Sequence, residues 1–185
     1  RQLLIDGIID RILFDRGGGH PKNIFISKNS WNASMEGKNL ADLCIEQGLE
    51  PTPYNAALIV FEIIKGGGAS AVYHAINSDD VDLIMKHPMT SIASDGPLTV
   101  FNEGAPHPRT YGTFARVLGR YVRERNILTL EEAIRKMTSL PASVLSIKQR
   151  GLIKEGYFAD ITIFDSNHII DQATFENPHQ YATGV

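Results

Sequence analysis

The sequence predicts an α/β fold, and three observations carry that reading. Its 185 residues are 43% hydrophobic and 21% charged, the balance of a folded chain with a sizeable core. Residues 71–95 run strand, helix, strand within about 25 residues, the order of a parallel βαβ unit. After Gly151 the hydrophobic period changes from helical to extended, so a β-rich module follows the α/β body, with the boundary near residue 150.

Each element has a local cause. Leu4, Ile5, Ile8, Ile9 and Ile12 recur at three- and four-residue spacing, which predicts an amphipathic helix over 1–15. Gly17-Gly18-Gly19 breaks it, and residues 23–27 read as a short strand. Leu40, Leu43 and Cys44 mark a helix that stops at Gly48, and 56–65 form another, stopped by Gly66-Gly67-Gly68. Neither glycine run has the spacing of a phosphate loop, so both read as flexible connections. Residues 71–76 are the next strand, 80–86 a short helix with Val81, Ile84 and Met85, and 90–95 a second strand. A loop rich in proline and glycine spans 96–109. From Phe114 a helix places Phe114, Val117, Leu118, Tyr121 and Val122 on one face and Arg116, Arg120 and Arg123 elsewhere. Thr129-Leu130-Glu131-Glu132 is a capping-box sequence, with Glu132 able to reach back to the Thr129 amide, and it starts a helix that Pro141 ends or extends by a turn. Residues 151–165 read as a hairpin leading into an extended strand.

Composition excludes several functions. Eighteen basic and 21 acidic residues, with no long run of either sign, leave a net charge of −3 and no footprint for nucleic acid or an anionic membrane. No apolar run approaches the ~18 residues of a membrane span. The single cysteine, Cys44, makes no internal disulfide, which fits a reducing compartment such as the cytoplasm and also a disulfide-free periplasmic protein. An arginine at residue 1 and an end at Val185 inside a strand-like pattern predict a piece of a longer chain.

Two residues stand out chemically. Asp95 ends a predicted parallel strand and precedes Gly96; carboxyl ends of strands face the ligand in α/β sheets and barrels, so this carboxylate is placed to touch a metal or accept a proton. Asp before Gly is equally ordinary turn chemistry. Arg109 follows Pro106-His107-Pro108, a stiffened loop that presents a guanidinium to an anionic substrate, and it reads equally as a surface arginine paired with Glu103 or solvent. The six histidines show no metal-ligand spacing; His74, inside a predicted strand, reads as a core histidine and Cys44 as packing. Asn32-Ala33-Ser34 matches the glycosylation pattern, a match common by chance.

The ordered motifs Ser94-Asp95-Gly96, His107-Pro108-Arg109-Thr110-Tyr111-Gly112 running on to Val122, the run 128–142, Gly156-Tyr157-Phe158-Ala159-Asp160-Ile161 and Ala173-Thr174-Phe175-Glu176-Asn177-Pro178-His179-Gln180 closely resemble the D-aminoacylase family. These are the N-acyl-D-amino-acid deacylases of the amidohydrolase superfamily. Residues 1–93 resemble it more loosely, through Glu36-Gly37-Lys38 and the paired strands.

The resemblance implies the C-terminal part of a metal-dependent (β/α)8 TIM barrel over 1–150, followed by part of a small β-sandwich over 151–185. Strands 71–76 and 90–95 would then be the barrel's last two. Asp95 matches the aspartate that moves a proton from water to the leaving nitrogen and is a possible metal contact; Arg109 matches the arginine that binds the substrate α-carboxylate. The implied cofactor is zinc, and the implied partners are a small N-acyl-D-amino acid and the remainder of the barrel, in the same or a partner chain. The family's ligands, an H-x-H, a cysteine and later histidines, match nothing here, which places them upstream of Arg1 and implies an inactive chain in isolation. Two alternatives stand: a cyclic-amide hydrolase related to dihydroorotase or hydantoinase, and a non-catalytic interaction half whose unpaired strand edges call for a partner chain.

Overall fold

Ile5 and Ile12, seven residues apart on one helical face, are buried by α1 (Gln2–Phe14), while Leu4 stays exposed. The computed structural model describes residues 1–185, which divide into two compact units. One holds residues 1–76, 99–107 and 175–177; the other holds 77–98, 108–174 and 178–185.

In the first unit α1 and α2 (Leu40–Glu46) pack on α3 (Pro53–Lys65). The Asn39 side chain caps α2 by accepting from the Asp42 amide, and Thr52 caps α3 three residues before Asn55, with Pro53 opening the helix. The core gathers Ile5, Ile12, Ile24, Ile26, Leu40, Leu43, Cys44 and the inner face of α3. Fully burying a side chain such as Ile12 or Leu40 contributes about 1.5–3 kcal/mol. Cys44 is fully buried, and desolvation pushes its thiol pKa up, so it packs as expected.

The sheet differs from the expectation. Strand β1 (Ile24–Lys28) pairs antiparallel with β2 (Ser70–Tyr73), in register Ile24 to Tyr73 and Ile26 to Ala71. No parallel βαβ unit forms over 71–95, because residues 90–95 have no ladder partner. His74 lies just past β2; it is exposed, with its ring 5.0 Å from Phe25 and 4.2 Å from Phe175, and is not a core histidine. Gly17-Gly18-Gly19 is an ordered turn, its amides at 17 and 19 bonded to the carbonyls of Arg11 and Ile12.

The second unit is helical. It contains α4 (Ser78–Lys86), α5 (Arg109–Arg116), which continues into wider π-helical turns over Val117–Glu124, then α6 (Leu130–Met137) and α7 (Ser139–Val144). The expected helix from Phe114 thus begins five residues earlier, and Phe114 is 47% exposed while Val117 and Leu118 enter the core. The arginines off that apolar face seat the segment 166–171. Asp171, 4% exposed, is held by Arg116 at 2.7 Å and Arg120 at 2.9 Å, and Arg123 donates to the carbonyls of Ser166 and Ile169. Glycines on that face allow the approach: a Cβ on Gly119 would stand 2.5 Å from Ile170 Cδ1.

The expected hairpin and strand over 151–165 do not form; the only bridge nearby joins Ile170 to Thr183. Ile153, Ile161 and Ile163 are exposed. Alternating side chains record which face a strand would bury, whereas a strand needs a hydrogen-bonding neighbour to exist.

The Thr129 hydroxyl accepts from the Glu132 amide at 3.2 Å, but the Glu132 carboxylate turns to Arg135 at 2.7 and 2.8 Å and to Lys136 at 3.5 Å. The hydrogen bonds from Arg135 hold the Glu132 pKa down, from 4.5 to about 2. A depressed folded pKa gives stability that is present above the unfolded value and lost as the carboxylate protonates. Glu132→Gln is therefore expected to lose less stability than the wild type as pH falls from about 4.5 to 2, measured as denaturation midpoints at matched salt.

Candidate functional site

Gly96 accounts for how Asp95 and Arg109 meet. A Cβ on Gly96 would lie 2.9 Å from Thr110 Cα, so only glycine lets this turn rest on the first turn of α5. Asp95, immediately before it, adopts the left-handed region (φ 47°), which aspartate tolerates better than most residues. Its Oδ2 lies 2.9 Å from Arg109 Nη2. The two sequence candidates, 14 positions apart, therefore stand together.

Arg109 is the first residue of α5, preceded by Pro108 as its N-cap, and not part of a loop. Glu103, considered as its partner, instead lies 3.9 Å from Lys28 Nζ. The positive end of the helix reinforces the attraction of this guanidinium for an anion. Exposure is high, 84% for the Asp95 side chain and 42% for Arg109, so water screens the pair and its worth is only about 0–1 kcal/mol.

Spacing along the sequence could not reveal a second pairing at the same helix turn. The Tyr111 hydroxyl lies 3.0 Å from His179 Nδ1, and Tyr181 meets the Tyr111 ring edge-on at 5.5 Å. His107 belongs to the first unit, its ring 5.0 Å from Phe175. Asn32 accepts hydrogen bonds from the amide and hydroxyl of Ser34.

The donor set does not fit a metal centre. No group of three or more His, Cys, Asp or Glu is placed to hold an ion, and Asp95, already paired through Oδ2, offers at most one further oxygen.

Residues 59–185 match the model of the amidohydrolase family. The chain belongs to that family. This amidohydrolase chain is 43% identical over 117 residues to N-acyl-D-glutamate deacylase of Alcaligenes xylosoxydans xylosoxydans, a match covering 63% of the chain and 23% of the relative. It is 38% identical over 150 residues to N-acyl-D-aspartate deacylase of the same organism, covering 80% of the chain and 28% of the relative. Among solved structures it is similar to N-acyl-D-glutamate deacylase from Bordetella bronchiseptica, complexed with zinc and a phosphonate mimic of the tetrahedral intermediate. That similarity has a TM-score of 0.78 at 34% identity and covers 96% of this chain and 34% of the other. The chain thus spans about a quarter to a third of these relatives. Similarity to dihydroorotases is weaker; that of Lactobacillus johnsonii is 40% identical over 55 residues, 30% of this chain and 13% of the relative. No helix is long and apolar enough to cross a membrane.

Proposed function

We propose that this chain is part of a hydrolase that cleaves the amide bond of N-acyl-D-amino acids, releasing a carboxylate and a D-amino acid. The observation that carries the reading is the exposed Asp95–Arg109 pair at 2.9 Å, a proton-moving group beside a carboxylate anchor, in a chain similar to two such deacylases. Arg109 exchanges Asp95 for the substrate α-carboxylate, gripping it through two parallel N–H donors. Asp95, released, takes a proton from the attacking water and delivers it to the amide nitrogen as the carbon–nitrogen bond breaks. Anchoring at the α-carboxylate fixes which face of the α-carbon carries the acyl group, the origin of chiral selection.

In this reading residues 1–150 are the C-terminal part of a (β/α)8 barrel and 151–185 part of a β-sandwich. The unladdered stretch 90–95 and the exposed Ile161 and Ile163 are what neighbouring strands would cover. The remainder of the barrel, in the same or a partner chain, carries the zinc ligands that these residues lack. The ligand is a small molecule, with no nucleic acid or membrane partner, and the buried free thiol of Cys44 fits the cytoplasm.

The test is an assay of the full-length protein, supplied with zinc, on N-acetyl-D-glutamate, its L enantiomer and dihydroorotate. Hydrolysis selective for the D-amino acid is expected. Cleavage of the L substrate alone, or of the ring alone, overturns the reading.

A further inference from the structure

Lys136 takes no part in the chemistry above, yet it is fully buried (0% exposed) and heads the large side chains removed from solvent. Burying an ammonium is costly unless its donors are used. Here Nζ donates to the carbonyl oxygen of His87 and, at 3.2 Å, to that of Thr90, and it lies 3.5 Å from Glu132 Oε1. The carbonyl of Lys136 accepts from the Ile92 amide at 3.0 Å. One residue of α6 thus holds residues 87–92 at three backbone points, and that segment has no ladder of its own.

Asp95 comes three residues after Ile92, and Gly96 beyond it rests on Thr110. The Asp95 carboxylate is therefore suspended between two fixed stretches of backbone. With its side chain 84% exposed, packing does little to place it. Its place follows from the backbone on either side together with the ion pair to Arg109.

We infer that Lys136 is a positioning residue for Asp95: by binding the carbonyls of His87 and Thr90, its ammonium sets where the Asp95 carboxylate stands. This rests on the reading of Asp95 as the proton-transfer group. A purely stabilising lysine would change the fraction of folded protein and leave turnover per folded molecule intact. A positioning lysine changes turnover, and only while Asp95 is there to be positioned.

The experiment is a double-mutant cycle in the full-length enzyme, measured well below the unfolding transition and normalised to folded protein. Lys136→Met keeps the length and apolar stem and removes the ammonium; Lys136→Gln, which retains a donor, serves if the methionine variant does not fold. A misplacement of about 1 Å costs up to 100-fold, so Lys136→Met is expected to lower kcat about 10- to 100-fold with KM within about threefold. In an Asp95→Asn background the same substitution is expected to cost less than about threefold, because the effect runs through Asp95. An equal loss in both backgrounds, or unchanged kcat with a lowered Tm, overturns the inference. Asp95→Asn alone retaining wild-type kcat overturns the reading of Asp95 itself, and shows at a separate corner of the cycle.

Discussion

Asp95→Asn is expected to lower kcat of the full-length enzyme about 10³-fold while KM stays constant or falls. The magnitude follows from the chemistry: removing a positioned acid–base group costs about 10²–10⁴ in rate. The direction in KM follows from the geometry. Asparagine tolerates the left-handed backbone that Asp95 adopts at φ 47°, so the turn before Gly96 survives the change. What it lacks is the charge that occupies Arg109 at 2.9 Å in the absence of substrate. Arg109 is then more available to a substrate carboxylate. Steady-state kinetics at saturating and limiting substrate separate the two parameters, and a variant within threefold of wild-type kcat would remove Asp95 from the proposed mechanism.

Arg109→Met is expected to raise KM for N-acyl-D-amino acids by roughly 10- to 100-fold, the loss of charge-assisted hydrogen bonds worth about 1.5–3 kcal/mol. Methionine preserves much of the side-chain length and suits the first turn of a helix, so α5 should persist. The sharper readout is a substrate whose α-carboxylate is replaced by a neutral amide. Such a substrate offers the guanidinium one uncharged acceptor in place of a bidentate anion, so the loss of kcat/KM from wild type to variant should be much smaller than with the carboxylate. Equal sensitivity of the two substrates would mean that Arg109 shapes the helix start and does not bind the carboxylate. Selectivity for the D enantiomer should also weaken with the arginine removed, since the anchor that orients the α-carbon is gone.

Much of the helical structure was legible because its causes are local. The three- and four-residue recurrence of apolar positions marked α1 and α4, and Gly48 and the glycines from 66 marked where α2 and α3 end. The Thr129 cap was legible for the same reason; the turn of Glu132 away from it was not, because Arg135 and Lys136 lie within reach one turn on. The start of α5 at Arg109 was hidden by Pro106 and Pro108, which read as loop although Pro108 already holds helical dihedrals (φ −51°, ψ −25°) that the proline ring favours. Polar periodicity placed Arg116, Arg120 and Arg123 off the apolar face, but it could not show that the first two hold Asp171 and the third the backbone of the segment before it. Lys136 gave no signal at all: a lysine beside Arg135 on an amphipathic helix looks solvated until the carbonyls of His87 and Thr90 are found at its tip.

By itself the sequence determined the family, most of the helices with the Thr129 cap and the glycine stops, and the two residues on which the proposed chemistry rests, Asp95 and Arg109. These are properties of residue type and order, set within a few positions along the chain or by the identity of a motif. Tertiary structure alone decided that β1 and β2 pair antiparallel, that 90–95 runs without a ladder, that Asp95 and Arg109 meet, and that Lys136 is buried. Each depends on a partner distant in sequence, and hydrogen bonding and burial are satisfied by whichever group lies nearest in space.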